Sequence, residues 1–312
     1  MATVAAPTEP ELPELPEVAR RRTMLAYLAL AGVVVMWGMG PPISKLIHGP
    51  PTTIAPTRVS MAVPLTYAVL RIEGRRPSLA SLRRSVWGGI FFGSNLVVFF
   101  FALRHASIAI ITLVGVLQPV TVGLVAVRLF GERLTRWGLA WTVVSIAGVV
   151  GAVLTAGKNV RATPLGLTLA LITTACLSCY LIASRIARRT LATNEYLFGV
   201  MVWASLVTLV PMVIAGPAWG RLRAVDWLWM VVVLIGPGWL GHLLMSWAIT
   251  QVPMSISSLQ MLPSTVVSIG AAWLINHERV TVAEALFGLV TLVAIGFVVR
   301  GPVRRHRAAP TH

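Results

Sequence analysis

Acidic residues are nearly missing from this chain. Ten Asp and Glu stand among 312 residues, and charged residues of both signs make up only 12%, about half the share found in an ordinary soluble domain. A soluble fold of this size would have too little polar surface to cover itself. Cysteine is also scarce: Cys176 and Cys179 are the only two, so no disulfide framework is implied. Their C-x-x-C spacing lacks a second ligand pair for zinc and a βαβ context for redox work, and they read as small helix-packing residues. No His/Asp/Glu cluster stands at ligand spacing, so no metal, no cofactor and no enzymatic activity are expected. The net charge of +16 does not point to nucleic acid, because the basic residues fall between apolar runs instead of clustering on a polar face or interleaving with aromatics.

Apolar residues are abundant, at 56% of the chain with a mean hydropathy of +0.81. A helix needs about 20 mainly apolar residues to cross a hydrocarbon core of about 30 Å, and the sequence supplies such runs repeatedly. Ten spans are predicted, at about 24–47, 54–71, 85–103, 108–128, 137–156, 164–184, 196–215, 227–248, 255–275 and 282–299. The expected fold class is all-α, a polytopic membrane protein. Ahead of the spans, Pro7, Pro10, Pro13 and Pro16 recur at every third position among Glu9, Glu11, Glu14 and Glu17, the pattern of an extended polyproline-like tail. Residues 1–23 are therefore expected to be a disordered tail and residues 301–312 a basic one.

An even number of spans puts both termini on one side, and basic residues say which. With cytoplasmic termini, the inner segments carry three basic residues at 20–22, five in 71–84, three in 128–136, three in 185–189 and four in 300–307, eighteen of the 26. The outer segments carry Arg104, Lys158, Arg161, Arg221, Arg223 and Arg279, with Lys45 and Arg58 near the outer ends of the first two spans. The expected location is a plasma or bacterial inner membrane, with cytoplasmic termini.

The chain also repeats itself at an offset of 146 residues. Glu132-Arg133-Leu134-Thr135 falls on Glu278-Arg279-Val280-Thr281, and "FFALRHASIAI" falls on "SWAITQVPMSI", with Ala102 over Ala248. Locally, Thr135 reads as a helix N-cap, and Thr281 with Glu284 as a capping box. Five spans per copy is odd, so the second copy enters the membrane inverted, which is the plan of many secondary transporters. The predicted units are a first five-helix repeat at 24–156, an external linker at 157–163 and a second repeat at 164–300. Glu132 and Glu278 then mark one hinge used at opposite faces, and a pairing of Glu278 with Arg58 across the outer mouth is expected.

In "MWGMGPPISK" with Arg58 following, in "FFALRHAS" leading into "LQPVTVGLVAVRLFGERLT", and in "SWAITQVPMS" leading into "HERVT", the chain resembles the drug/metabolite transporter superfamily, in its EamA-type ten-helix branch. The resemblance covers about 24–300. It implies a secondary transporter of a small organic solute (an amino acid, related metabolite or drug-like compound), with export as the direction and a nucleotide-sugar or sugar-phosphate carrier as the alternative. One departure stands out: Pro119 precedes Glu132 by 13 residues but Pro263 precedes Glu278 by 15, so Thr265 occupies the second proline position. The first-helix glutamate that the small four-helix relatives use for proton exchange is also lacking.

Candidate cavity residues are the polar and aromatic side chains inside the spans. Asn95, Gln118 and Gln260 carry amides that would be unpaired facing lipid, so they should face inward, either lining a cavity or tying helices together. His242, three residues after Trp239, is either a neutral histidine bonded to a neighbouring helix or a group whose protonation is linked to binding. Trp37 and Tyr180 are candidate aromatic walls. Lys45 and Arg58 either snorkel to the interface or form a cationic outer vestibule. Gly40-Pro41-Pro42 and Gly236-Pro237-Gly238 should break helical hydrogen bonding, and Gly148, Gly151, Gly288 and Gly296 suggest close helix packing or a homodimer contact. The expected partners are the solute and membrane lipid, with no nucleic acid.

Overall fold

In the computed structural model, residues 16–118, 121–122, 136–155, 163–252, 261–278 and 280–300 are described. They form ten helices: α1 (Pro16–Lys45), α2 (Pro51–Ile72), α3 (Leu79–His105), α4 (Ile108–Gly115), α5 (Arg136–Thr155), α6 (Pro164–Ala187), α7 (Thr193–Ala215), α8 (Ala224–Gln251), α9 (Met261–Asn276) and α10 (Val282–Arg300). Each predicted span overlaps one of these helices, the fourth and ninth only over their described residues. The one difference in kind is at the N-terminus, where α1 is already helical from Pro16, inside the segment expected to be extended. A proline, lacking an N–H, fits the first position of a helix.

Helix starts follow local chemistry. Ser78 accepts from the Ser81 amide at 3.0 Å and Thr163 from the Gly166 amide at 3.0 Å, capping α3 and α6. Glu195 accepts from the Ala192 amide at 3.2 Å ahead of α7. Five helices among the described residues, α1, α3, α6, α7 and α8, are long and apolar enough to cross a membrane on length and composition alone. Their outward faces present residues such as Leu28, Leu171 and Val213, which suits contact with lipid tails.

Packing carries the repeat into three dimensions. α1 lies on α9 as α6 lies on α4; α3 lies on α6 as α8 lies on α1; α3 lies on α7 as α8 lies on α2. The pairs α2–α7, α4–α9 and α5–α10 join equivalent helices. A shift of five helices thus maps each contact onto another, as an inverted two-fold repeat requires. Small residues let the backbones approach. A Cβ on Gly89 or Gly93 of α3 would stand 2.9 Å from the carbonyl of Val200 or Ala204 on α7, so this small-xxx-small pair brings the two helices together. Gly148 and Gly151 of α5 do the same against Phe287 of α10, while Gly288 faces Leu113 and Gly296 faces open space. Three of these four glycines therefore serve packing within the chain.

Candidate translocation cavity

Between the two halves lies a cavity of about 150 Å³, lined from α1, α2, α3, α4, α6, α8 and α9. Two backbone irregularities shape it. α8 passes into a π-helical turn over Leu234–Leu240 at Gly236-Pro237-Gly238, where Pro237 has no N–H for the carbonyl of Val233. That carbonyl accepts a long bond of 3.5 Å from the Arg58 guanidinium. Gly238 makes the approach possible, since a Cβ there would stand 2.7 Å from the Val233 oxygen and 2.9 Å from the guanidinium. Gly40-Pro41-Pro42 leaves α1 continuous through Lys45, contrary to the break expected there. Asn276 donates to the Pro42 carbonyl at 3.2 Å, and Gly40 lies against Pro237, so the two Pro-Gly elements meet. The second irregularity is in α4, which tightens after Gly115, with Val116 and Leu117 amides bonding back to Leu113 and Val114 at 3.2 and 3.0 Å.

Gln118 follows that tightened turn. Its side chain is fully buried, lines the cavity, and neither amide atom has a hydrogen-bond partner among the described residues. The Trp37 indole N–H and the hydroxyls of Ser44 and Ser268 line the same space and likewise have no partner among the described residues. His242 closes one side: its Nδ1 lies 3.1 Å from the Tyr180 hydroxyl, and its ring centroid lies 4.6 Å from Phe92 and 4.9 Å from Trp37. A Cβ on Gly241 would stand 2.7 Å from the Trp37 indole nitrogen, so this glycine admits the indole against α8.

Of the sequence-predicted residues, Trp37, Arg58, Asn95, Gln118 and His242 line the cavity. Asn95 also ties helices: its amide donates to the Thr173 carbonyl at 2.9 Å and the Thr173 hydroxyl donates back to the Asn95 carbonyl at 3.2 Å. Tyr180 stands behind His242 rather than on the wall, and Trp239 does not line the space. Arg58 sits deep, 6% exposed, and not in a vestibule shared with Lys45. Lys45 pairs with Glu278, whose second oxygen accepts from the Ile108 amide at 3.0 Å. The expected Glu278–Arg58 pair is thereby corrected, because α1 ends beside α9 while Arg58 points inward. Gln260, Glu132 and Thr135 lie outside the described residues, as does Arg279, and nothing is described of the Glu284 side chain.

Sequence reasoning missed the hydroxyls of Ser44, Thr112, Thr173 and Ser268. A signal existed for one set: Ser264 and Ser268 stand four apart on apolar α9, and Thr265, at the family's proline position, lines the wall and donates to the Met261 carbonyl at 2.8 Å.

The end of the bundle where α1 terminates is tied down by polar contacts. Arg104 donates to the carbonyls of Ile47 and Gly49 at 2.9 and 2.8 Å, and buried Asp226 accepts from the His48 amide at 2.9 Å and the Arg223 amide at 2.8 Å. The hydrogen bond to Asp226 holds the Arg223 guanidinium above its ordinary pKa.

Ten helices in two inverted halves around a largely apolar cavity with a few buried polar side chains define a polytopic membrane protein of the carrier type. The chain belongs to the EamA-like transporter family, whose model matches residues 24–154 and 164–300, one match per half, in agreement with the drug/metabolite transporter resemblance. A solved crystal structure of a protein 20% identical to this one, covering 93% of this chain and 99% of its own, has the same fold with a TM-score of 0.65. None of the curated proteins matches.

Proposed function

We propose that this protein is a secondary transporter that moves a small organic solute across the cell membrane, alternating access to the cavity between its inverted halves. The observation that carries this reading is Gln118, a fully buried amide on the cavity wall with four hydrogen-bonding positions left unmet. Each such group costs about 1–3 kcal/mol when unsatisfied, which a polar solute passing through would offset. The cytoplasmic placement of both termini follows the basic-residue count, and export follows the family resemblance.

A nucleotide-sugar or sugar-phosphate carrier would need several cations converging on the site. Arg58 is the only Lys or Arg on the described wall, and Lys45 is engaged by Glu278. Reconstituted in liposomes, the protein is expected to move a radiolabelled organic solute. Gln118→Leu combined with His242→Leu should lower that transport at least about tenfold, the effect of losing hydrogen bonds worth about 1.5 kcal/mol, at unchanged expression. Full transport by the double variant would remove the cavity from the pathway.

A further inference from the structure

We propose that the cavity selects a monocarboxylate on a small apolar body and rejects the matching zwitterion, amine and phosphate. This rests on the transporter reading above but concerns which solute the site recognises. Arg58 is buried at 6% exposure, and among the described residues its only hydrogen bond is the 3.5 Å contact to the Val233 carbonyl. A guanidinium has five N–H donors, and burying one without an anion is costly.

No carboxylate of the described chain supplies that anion. Of the acids whose side chains are described, Glu73 accepts from Asn194, Glu195 bridges Arg75, Asp226 holds Arg223 and His48, and Glu278 holds Lys45. The guanidinium thus lines the cavity without a described counter-ion, its Nε and Nη2 lying beside Gly238 and the Val233 carbonyl, and a carboxylate entering the cavity would supply the missing anion through charge-assisted hydrogen bonds. The unpartnered amide of Gln118 and hydroxyl of Ser268 share that wall and offer further donors.

The same charge pattern sets the exclusions. An ammonium would find a cation in the cavity and no described acid on its wall, so an amine or an amino acid carries a group with no counter-charge there. A phosphate dianion would meet a single guanidinium. The remainder of the wall, including Phe92, Leu96, Phe99 and Ile111, is apolar, and about 150 Å³ is the size of space that holds one aromatic ring.

The test measures binding by calorimetry on purified full-length protein with five probes sharing one phenyl body: 3-phenylpropanoate, phenylalanine, phenethylamine, 3-phenylpropanol and phenylpropyl phosphate. The carboxylate is expected to bind at least about tenfold tighter than each of the others, the effect of one charge-assisted hydrogen bond. Arg58→Gln should abolish the preference and Arg58→Lys keep part of it. Should Arg58→Gln fail to elute as a single species, Gln118→Leu gives the same reading, expected to weaken the carboxylate more than the alcohol. Binding of phenylalanine, the amine or the phosphate as tight as the carboxylate, no binding of any probe, or a preference that survives Arg58→Gln would each overturn the proposal. Parallel flux measurements in proteoliposomes separate the two readings. Flux of phenylalanine without carboxylate binding would sink the selectivity and spare the transporter, whereas Arg58-dependent carboxylate binding with no flux of any probe would do the reverse.

Discussion

Asn95 and Gln118 are both buried amides on the cavity wall, yet their partners give them different work. Asn95 donates to the α6 backbone, so Asn95→Leu would remove that interhelical hydrogen bond and destabilise the protein by about 1–2 kcal/mol; thermal unfolding in detergent reads this as a lower Tm. The Gln118 side chain bonds no described residue, so its replacement by Leu should leave Tm nearly unchanged while affecting solute binding. The sequence put both inside the bundle, because an amide cannot face lipid, but it left open whether each lined a cavity or tied helices. Only the positions of α6 and α4 relative to α3 separate the two. Gly238 belongs with them: Gly238→Val would drive a side chain into the Val233 carbonyl and the Arg58 guanidinium, at a cost of about 1–3 kcal/mol in stability. It should also weaken any solute that depends on Arg58.

Among the helices, α1 joins the first half to the second beside the cavity. It packs on α8 and α9, supplies Trp37 and Ser44 to the wall, and ends in Lys45, which grips Glu278 at the end of α9. Glu278 also accepts from the first amide of α4, so one carboxylate joins the ends of three helices. With 30% and 16% of the two side chains exposed, the ion pair is partly screened, and a double-mutant cycle is expected to give a coupling of about 0.5–1 kcal/mol. Exchanging the charges, Lys45→Glu with Glu278→Lys, should recover part of the transport lost by either single change. A swap no better than the singles would show that the pair does not latch this end. The repeated Glu-Arg-x-Thr, legible from the start, did not disclose this partner, because the lysine and the glutamate are 233 residues apart.

For the whole molecule, orientation is the first thing to measure. With Cys176 and Cys179 replaced by Ala, a cysteine introduced at Arg83 is expected to react with an impermeant maleimide only from the cytoplasmic side, and one at Arg221 only from outside. The reverse pattern would invert the topology. Both positions are exposed at helix ends, so labelling reports sidedness and not access through the fold.

The sequence by itself determined the number of helices, the inverted repeat and the membrane as solvent, though it started α1 and α3 several residues late. Those properties follow from apolar run length, capping chemistry and the parity of the spans, all of which are local or periodic. What the tertiary structure decided is which side chains meet. Pro237 was readable as a helix breaker, but that the Val233 carbonyl at the start of the π-helical turn also receives Arg58 depends on α2 passing α8 at Gly238. Glu278 was readable as a helix-end acid, but its engagement by Lys45 instead of Arg58 depends on where α1 stops against α9. Burial adds a cost to an unpaired charge or amide only once the neighbouring helices are in place, so the site exists in the packing and not in any one segment.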